Sequence, residues 1–180
     1  MKAKYFLIAI LLMGPIGFAQ DPDFHVYLSF GQSNMEGHAK FEPQDTLVNE
    51  RFQVLQSVDC PELGREAGQW YTAVPPLSRC DTGLTPTDYF GRTMVQNIPE
   101  DVKVGVINVA VGGCKIELFD KENYKEYVAN APGWMLPAIN KYNGNPYGHL
   151  VDLGRKAQEK GVIKGILLHQ GESNTGDEQW

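Results

Sequence analysis

The chain has 180 residues, 42% hydrophobic and 11% aromatic, which is long enough for one domain with a sizeable core and too apolar for a disordered chain. Without the two lysines at the N-terminus, 14 basic residues stand against 22 acidic ones, a net charge of −8. This charge argues against nucleic acids and anionic membrane surfaces as partners. Nothing in the sequence specifies an oligomeric state.

The first nineteen residues are predicted to be a signal peptide. Two lysines precede an apolar stretch from Tyr5 to Met13, and Gly17 and Ala19 suit the small-residue rule for cleavage before Gln20. An uncleaved membrane anchor is the alternative, but the stretch is short for a bilayer span and a Gly-Pro pair interrupts it. We therefore expect an exported protein, periplasmic or extracellular, with no stable membrane anchor and one domain over residues 20–180.

The first half of this domain contains signals for two strands and a helix. The run "HVYLSF" (25–30) predicts a first strand. Residues 36–86 are rich in Pro, Gly, Asp and Gln with little periodicity, which predicts a long irregular excursion. A helix is expected in "TPTDYFGRTMVQNIP", capped by Thr85 or Thr87. The β-branched run "VKVGVINVAVGG" (102–113) predicts a buried strand closed by two glycines.

The second half continues the alternation of helix and strand. Residues 121–130 and 134–142 predict two short helices around Pro132, and "NPYGHLVDLGRKAQEKG" predicts a better one that ends at Gly161. The run "VIKGILLHQGESN" is typical of another buried strand that leads into a polar turn. Helices that separate apolar strands favour an α/β fold, a three-layer sandwich with a central parallel sheet covered on both faces.

Three of the predicted strands end in unusual turns, with the sequences "GQSN", "VGGC" and "HQGESN". Parallel sheets bind ligands at the carboxyl ends of their strands, so the three turns are expected to lie on one edge. They would place a hydroxyl, a pair of glycines and side-chain amides together. Chance rarely assembles these groups, so the edge is the predicted active site.

These residue types suit nucleophilic attack on a carbonyl carbon. Ser33 becomes a nucleophile when a base takes its proton, and the oxyanion that develops needs hydrogen-bond donors. The candidate donors are the backbone N–H of Ser33, a backbone N–H of Gly112-Gly113, and the side-chain amide of Gln170 or Asn174. The glycines would allow the chain to approach the substrate closely.

Three other interpretations fit the same residues. Cys114 follows the glycine pair and is an alternative nucleophile, although a small buried cysteine is the commoner role. Glu36 with Glu172 would suit the acid–base pair of a glycosidase. The third is a secreted, non-catalytic carbohydrate-binding module, for which the suitable aromatic residues are Trp70, Tyr71, Trp134 and Tyr142.

The three cysteines allow one disulfide and leave one thiol over. Export makes a disulfide plausible, and Cys60 with Cys80 is the first expectation because both lie in one Pro- and Gly-rich region. The sequence contains no CxxC and no His-x-x-x-His pattern. We therefore expect no metal site and no cofactor.

The blocks "FGQSNMEG", "NVAVGGCKIELF" and "LLHQGESN" resemble the sialate O-acetylesterase domain. That group is similar to carbohydrate esterase family 6, with its acetyl xylan esterases, in the SGNH hydrolase superfamily. The resemblance covers nearly the whole mature chain. It implies an SGNH or flavodoxin-like fold and a secreted serine esterase that removes O-acetyl groups from acetylated xylan or sialic acid. It assigns Ser33 as nucleophile, Gly113 and Gln170 to the oxyanion hole, and Glu172 to a supporting role.

One part of the family pattern does not occur in this sequence. The family's catalytic Asp and His lie in a D-x-x-H block near the C-terminus, and none of the four histidines, His25, His38, His149 and His169, occurs in such a block. The resemblance therefore implies that both residues lie beyond residue 180, in a longer domain. His38, five residues after Ser33, is the alternative base within the chain. His169 is expected to point away from Gln170, because successive side chains of a strand alternate.

Overall fold

A five-stranded sheet forms the centre of this computed structural model, which describes residues 20–178 and so leaves the predicted signal peptide outside. The strands are β1 (Asp21–Gly31), β2 (Phe52–Leu55), β3 (Trp70–Thr72), β4 (Lys103–Ala110) and β5 (Gly161–His169). Their order is β3-β2-β4-β1-β5, and every neighbouring pair is parallel except β2 with β3. The predicted α/β fold with a mainly parallel sheet is confirmed.

The α-helices of the described residues are α1 (Ser33–Glu36), α2 (Pro86–Asn97), α3 (Tyr124–Ala129), α4 (Leu136–Lys141) and α5 (Pro146–Ala157). The last four match the predicted helices. Capping explains where the two long ones begin. The Thr85 hydroxyl accepts the Thr87 N–H at 2.9 Å, and the Thr85 N–H donates to the Asp88 carboxylate at 2.8 Å. The Asn145 side chain likewise accepts the N–H of Gly148 at 2.9 Å.

Strand β4 is covered on both faces, which makes the architecture three-layered. Val104 and Val106 pack in the cluster that contains α2 residues, while Ile107 and Val109 pack in the cluster that contains α5 residues. All four side chains are fully buried. Burial of each contributes about 1.5–3 kcal/mol to stability, so β4 contributes to both cores, one on each face of the sheet.

The predicted irregular excursion contains two short strands that the sequence analysis misses. β2 pairs parallel to β4, and β3 pairs antiparallel to β2 at the edge of the sheet. With four and three residues, neither strand is long enough to display a period-2 pattern. β2 becomes a strand through its pairing with β4, and β3 through its pairing with β2, so local sequence does not predict either of them. The excursion also contains short 3₁₀ turns at Pro43–Thr46 and Pro61–Leu63.

Strand β5 departs from the prediction of a buried strand. It lies at the sheet edge beside β1, and Ile166 and Leu168 are 62% and 53% exposed. The prediction that Gly161 ends the preceding helix is also wrong, because α5 ends at Ala157 and Gly161 begins β5. A Cβ at Gly161 would lie 2.5 Å from the Phe24 carbonyl oxygen, so close strand packing accounts for this glycine.

The structure confirms the predicted disulfide between Cys60 and Cys80 and leaves Cys114 as a free, buried thiol. Cys80 directly follows Arg79, so the disulfide restrains the segment that carries this arginine. Within residues 20–178, no helix has both the length and the apolar character that a bilayer span requires.

Two helical glycines differ in the space around them. A Cβ at Gly91, inside α2, would lie 2.0 Å from the ring of buried Phe52, whereas a Cβ at Gly154, inside α5, would meet Leu28 at an ordinary 3.5 Å. Alanine is favoured over glycine in a helix by about 1 kcal/mol when nothing obstructs it.

We therefore expect Gly91→Ala to lower the free energy of unfolding by about 1–3 kcal/mol, because overpacking against Phe52 outweighs helix propensity. The matched control, Gly154→Ala, should raise it by up to about 1 kcal/mol. Urea unfolding followed by circular dichroism measures both. Stabilisation by Gly91→Ala would contradict the packing of α2 on β2.

Candidate active site

The ends of the three central strands are level with one another. Gly31 at the end of β1 pairs with Ala110 of β4 on one side and with His169 of β5 on the other. The three turns that follow therefore meet at one carboxyl edge of the sheet, as the sequence predicts. Gly31 is required there, because a Cβ at this position would lie 2.0 Å from the His169 carbonyl oxygen.

Ser33 begins α1 two residues after the end of β1, and its side chain is half-buried. The short helix is held firmly from the core side. The Asn108 amide of β4 donates to the Met35 carbonyl at 3.0 Å, and the Ser29 hydroxyl contacts the Met35 sulfur at 2.9 Å. Both polar residues are fully buried. The short helix that carries Ser33 is thus held by contacts beneath it, which is the kind of support that a functional side chain needs.

Glu36, at the end of α1, joins three segments of the chain. Its carboxylate lies 2.6 Å from Arg79, accepts the Gly112 N–H at 3.0 Å, and lies 3.0 Å from His38 Nε2. The side chains of Glu36 and Arg79 are only 5% and 8% exposed. Arg79 also donates to the Ala110 carbonyl at 2.8 Å. This buried ion pair holds the turn that contains Ser33 and Glu36 against the glycine turn after β4.

Because Glu36 engages the Gly112 N–H, the Gly113 N–H is the candidate oxyanion donor of the glycine pair. Gly113 has a left-handed backbone with φ of +72°. The Ser173 hydroxyl lies 3.0 Å from the Gly113 carbonyl oxygen and 2.9 Å from the Gln32 side-chain oxygen. The third turn therefore bridges the first two.

A cavity of about 440 Å³ opens beside Ser33. Glu36, Arg79 and Gly112 form its buried side. The exposed lining residues are His38, Asp81, Trp134, Pro137 and Lys141. Its volume is in the range of small-ligand sites, and its position at the carboxyl edge is where parallel sheets bind ligands.

Gln170 and Asn174 both bind the segment that follows Gly113. The Gln170 amide nitrogen donates to the Cys114 carbonyl at 3.1 Å, and its buried oxygen has no hydrogen-bond partner among the described residues. Asn174 accepts the Ile116 N–H at 2.9 Å. Gln170 lines a neighbouring cavity with Asn174 and Leu168. Its role in the oxyanion hole stays a prediction, which would require its amide to turn from Cys114 towards Ser33.

Glu172 lies in the third turn as an exposed carboxylate. It accepts a hydrogen bond from Asn34 at 3.0 Å and lies 3.4 Å from His169 Nε2. The pKa of Glu172 is lowered, mainly by a hydrogen bond from its own backbone and further by Asn34, Gln32 and the nearby His169. A lowered pKa suits the ionised carboxylate of a glycosidase pair, so Glu36 would have to be the acid. The Glu36 carboxylate is already engaged by Arg79 and the Gly112 N–H, and the Glu36–Glu172 alternative therefore gains no support.

The Cys114 thiol is fully buried, and burial raises its pKa to about 12. A buried thiol with a raised pKa is a poor nucleophile at neutral pH, so the alternative of Cys114 as the nucleophile gains no support.

The aromatic residues of the binding-module alternative do not form one surface. Tyr142 is fully buried and Trp70 packs against Phe24 at a centroid distance of 4.7 Å, whereas Trp134 is 67% exposed.

The histidines occupy four separate environments. His25 lies in β1, and His149 Nε2 in α5 lies 2.6 Å from the Ser57 carbonyl oxygen. His169 lies beside Glu172 on the exposed sheet edge. Among the four, His38 lines the Ser33 cavity, and its Nε2 is held by Glu36.

Sequence analysis misses Arg79 at the cavity, and it names Trp134 only as an aromatic residue of the binding-module alternative and not beside Ser33. Both lie in connections without strong periodicity, so no strand end or helix face indicated their position. For Arg79, the available signal was its place directly before a cysteine that was expected to form a disulfide.

The Arg79→Met variant should lose about 3–5 kcal/mol of unfolding free energy, because it leaves the buried Glu36 charge without a partner. The double variant Glu36→Gln/Arg79→Met should lose less than the sum of the single losses. Arg155→Met is the control, since Arg155 and its partner Asp152 are 74% and 76% exposed and such pairs contribute about 1 kcal/mol or less. Urea unfolding of these three variants and of Glu36→Gln alone measures the losses. Equal losses for Arg79→Met and Arg155→Met would contradict the role of the Glu36–Arg79 pair.

Comparison with proteins of known structure shows the same fold. A protein from Arabidopsis thaliana has a TM-score of 0.60 at 20% identity over 88% of this chain and 62% of its own. A carbohydrate acetylesterase from Xanthomonas citri has 0.52 at 23% identity, over 85% and 33%, and NanS has 0.52 at 16%, over 87% and 57%. The chain thus spans less than two thirds of each of these proteins.

The sequence itself matches the family of carbohydrate esterases described as sialic acid-specific acetylesterases over residues 23–180. The matched residues include the turn at Ser33, the glycine turn at 112–113 and the polar turn after β5 that contains Gln170. The chain belongs to the sialic acid-specific acetylesterase family of carbohydrate esterases.

Proposed function

We propose that this chain carries the nucleophile of a serine esterase that removes O-acetyl groups from carbohydrate, either acetylated xylan or O-acetylated sialic acid. The observation that carries the proposal is the place of Ser33. It begins a helix held from the core, at the carboxyl edge of the sheet, and lines a cavity next to a left-handed glycine turn. Membership of a carbohydrate esterase family supports the same chemistry.

In the proposed reaction, the Ser33 oxygen attacks the acetyl carbonyl carbon while a base takes the hydroxyl proton. The oxyanion forms near the backbone N–H groups of Ser33 and Gly113, and Gln170 is the proposed third donor. The tetrahedral intermediate then collapses, and the sugar oxygen leaves with the proton. Water attacks the acetyl-enzyme by the reverse sequence and releases acetate.

The base is the one part of this scheme that we assign outside residues 1–180, as the family pattern of Asp and His implies. The length of the related structures accommodates such a segment. His38 is the candidate within the chain, since it lines the same cavity. In the serine hydrolase subtilisin, removal of the base costs about as much as removal of the nucleophile, so activity would require whichever histidine serves.

We further infer that the protein is exported after cleavage near Gln20. The support is the pattern of basic, apolar and small residues before that position. The N-terminal sequence of secreted protein checks the cleavage site, and a secreted form that begins at Met1 would contradict it.

Ser33→Ala is expected to remove hydrolysis of an aryl acetate by the full-length protein, with a loss of about 10³-fold or more. Thr93→Ala is the control, because it removes a hydroxyl from an exposed position of α2 outside the cavity. The assay follows release of the aryl alcohol by absorbance. Retained activity in Ser33→Ala would refute Ser33 as the nucleophile.

Gln170→Ala distinguishes an oxyanion donor from a residue that only holds the Cys114 carbonyl. Loss of a donor that acts in the transition state should lower kcat by about 10²–10³-fold with little change in KM. Asn174→Ala is the matched control, since this amide also holds the segment after Gly113 through Ile116 and Glu117. Equal effects of the two variants on kcat would show that Gln170 acts only by supporting that segment.

A further inference from the structure

Trp134 is a large apolar side chain that remains 67% exposed although a cavity lies beside it. It belongs to the connection between α3 and α4 and lines the Ser33 cavity together with Pro137 and Ala138 of α4. An exposed indole at a concave surface is a common feature of binding sites, because it offers a flat, rigid, apolar contact area. The mechanism described above does not use it.

The indole is fixed relative to the nucleophile by the glycine turn. A Cβ at Gly113 would lie 2.6 Å from Trp134 Cη2, so the ring rests directly against this glycine. On the other side of the pair, a Cβ at Gly112 would lie 3.7 Å from the Ser33 Cβ. The order in space is therefore Ser33, the glycine pair and the indole. Ser33 and the indole thus lie on opposite sides of the glycine pair and line one cavity.

The backbone of Trp134 is also held in place. The next residue, Met135, is 2% exposed in the core, and its carbonyl accepts N–H groups of Ala138 and Ile139 at 3.1 and 3.2 Å. The indole is thus presented from a rigid support. Pre-positioned aromatic groups lose little conformational entropy when they bind.

Three of the other exposed lining residues are polar, and Pro137 adds to the apolar side next to the indole. His38, Asp81 and Lys141 provide hydrogen-bond donors and acceptors around the same cavity. A pyranose ring has an apolar face of C–H groups and a polar edge of hydroxyl groups. The apolar indole beside these polar groups matches this division, whereas an extended hydrophobic peptide would offer no hydrogen-bond partner to polar groups such as the Lys141 ammonium.

We propose that Trp134 binds the sugar ring of the substrate by stacking on its C–H face, while the polar side chains of the cavity bind its hydroxyl groups. The proposal rests on the proposed function, since the stacked ring carries the acetyl ester to Ser33. Trp134 is then the residue that distinguishes an acetylated carbohydrate from a simple acetate ester.

The test is direct binding to the full-length Ser33→Ala protein, which keeps the ester intact. Acetylated xylo-oligosaccharide and O-acetylated sialic acid are titrated separately by calorimetry. Trp134→Ala in this background should weaken binding of the sugar that is recognised by at least tenfold, and Trp134→Phe should recover part of the loss. Tyr89→Ala is the control, because this aromatic residue is 55% exposed on α2 away from the cavity and its loss should leave binding unchanged.

Equal affinities of the parent and Trp134→Ala, or binding of neither sugar, would overturn the proposal. A partial recovery by Trp134→Phe separates loss of the aromatic ring from a general disturbance of the loop, and circular dichroism confirms that the variants fold. Aryl acetate hydrolysis by the protein with Ser33 intact tests the esterase function independently. An active esterase whose Trp134→Ala form binds sugar normally would refute the stacking role alone.

Discussion

The buried carboxylate of Glu36 is the contact on which the arrangement of the site depends. It binds Arg79 from the long excursion, the Gly112 N–H from the turn after β4 and His38 beside the cavity. Burial of two charges has a desolvation cost that can exceed their attraction, so such a pair is weak evidence for stability. Its effect here is geometric, because it fixes the relative positions of α1, the Arg79 segment of the excursion and the Gly112 turn beside Ser33. These three segments are distant from one another in sequence.

The sheet supplies the other part of this geometry. β1 lies between β4 and β5, and all three end at the same level. β4 and α5 were predictable because each is long enough to display its apolar pattern. β2 and β3 were not, because β2 becomes a strand by pairing with β4 and β3 by pairing with β2, and neither has a pattern of its own. The exposed residues of β5 were also unpredictable, since an apolar run does not reveal whether a strand lies at the centre or the edge of a sheet.

The same distinction applies to the site. Ser33 and Gly113 could be located from sequence because each follows directly from the end of a strand, where topology fixes position. The direction of the Gln170 side chain could not, because it depends on which partner its amide finds, and in this structure the partner is the Cys114 carbonyl. Arg79 and Trp134 lie in connections whose path is set by the disulfide and by core contacts of neighbouring residues. Such paths arise only from the packed tertiary structure.

Chemistry and recognition therefore come from different parts of the chain. The strand ends provide Ser33, the proposed nucleophile, and the proposed backbone donors. Asp81 and Trp134 come from connections and Lys141 from the end of α4, so the exposed polar and aromatic groups around the cavity belong to no strand. Because loops accept substitution more readily than a close-packed sheet edge, the two properties are separable. On the proposed roles, a change of sugar preference would need new side chains in the excursion or around α4, whereas Gly31, before Ser33, cannot gain a side chain without displacing β1 from β5.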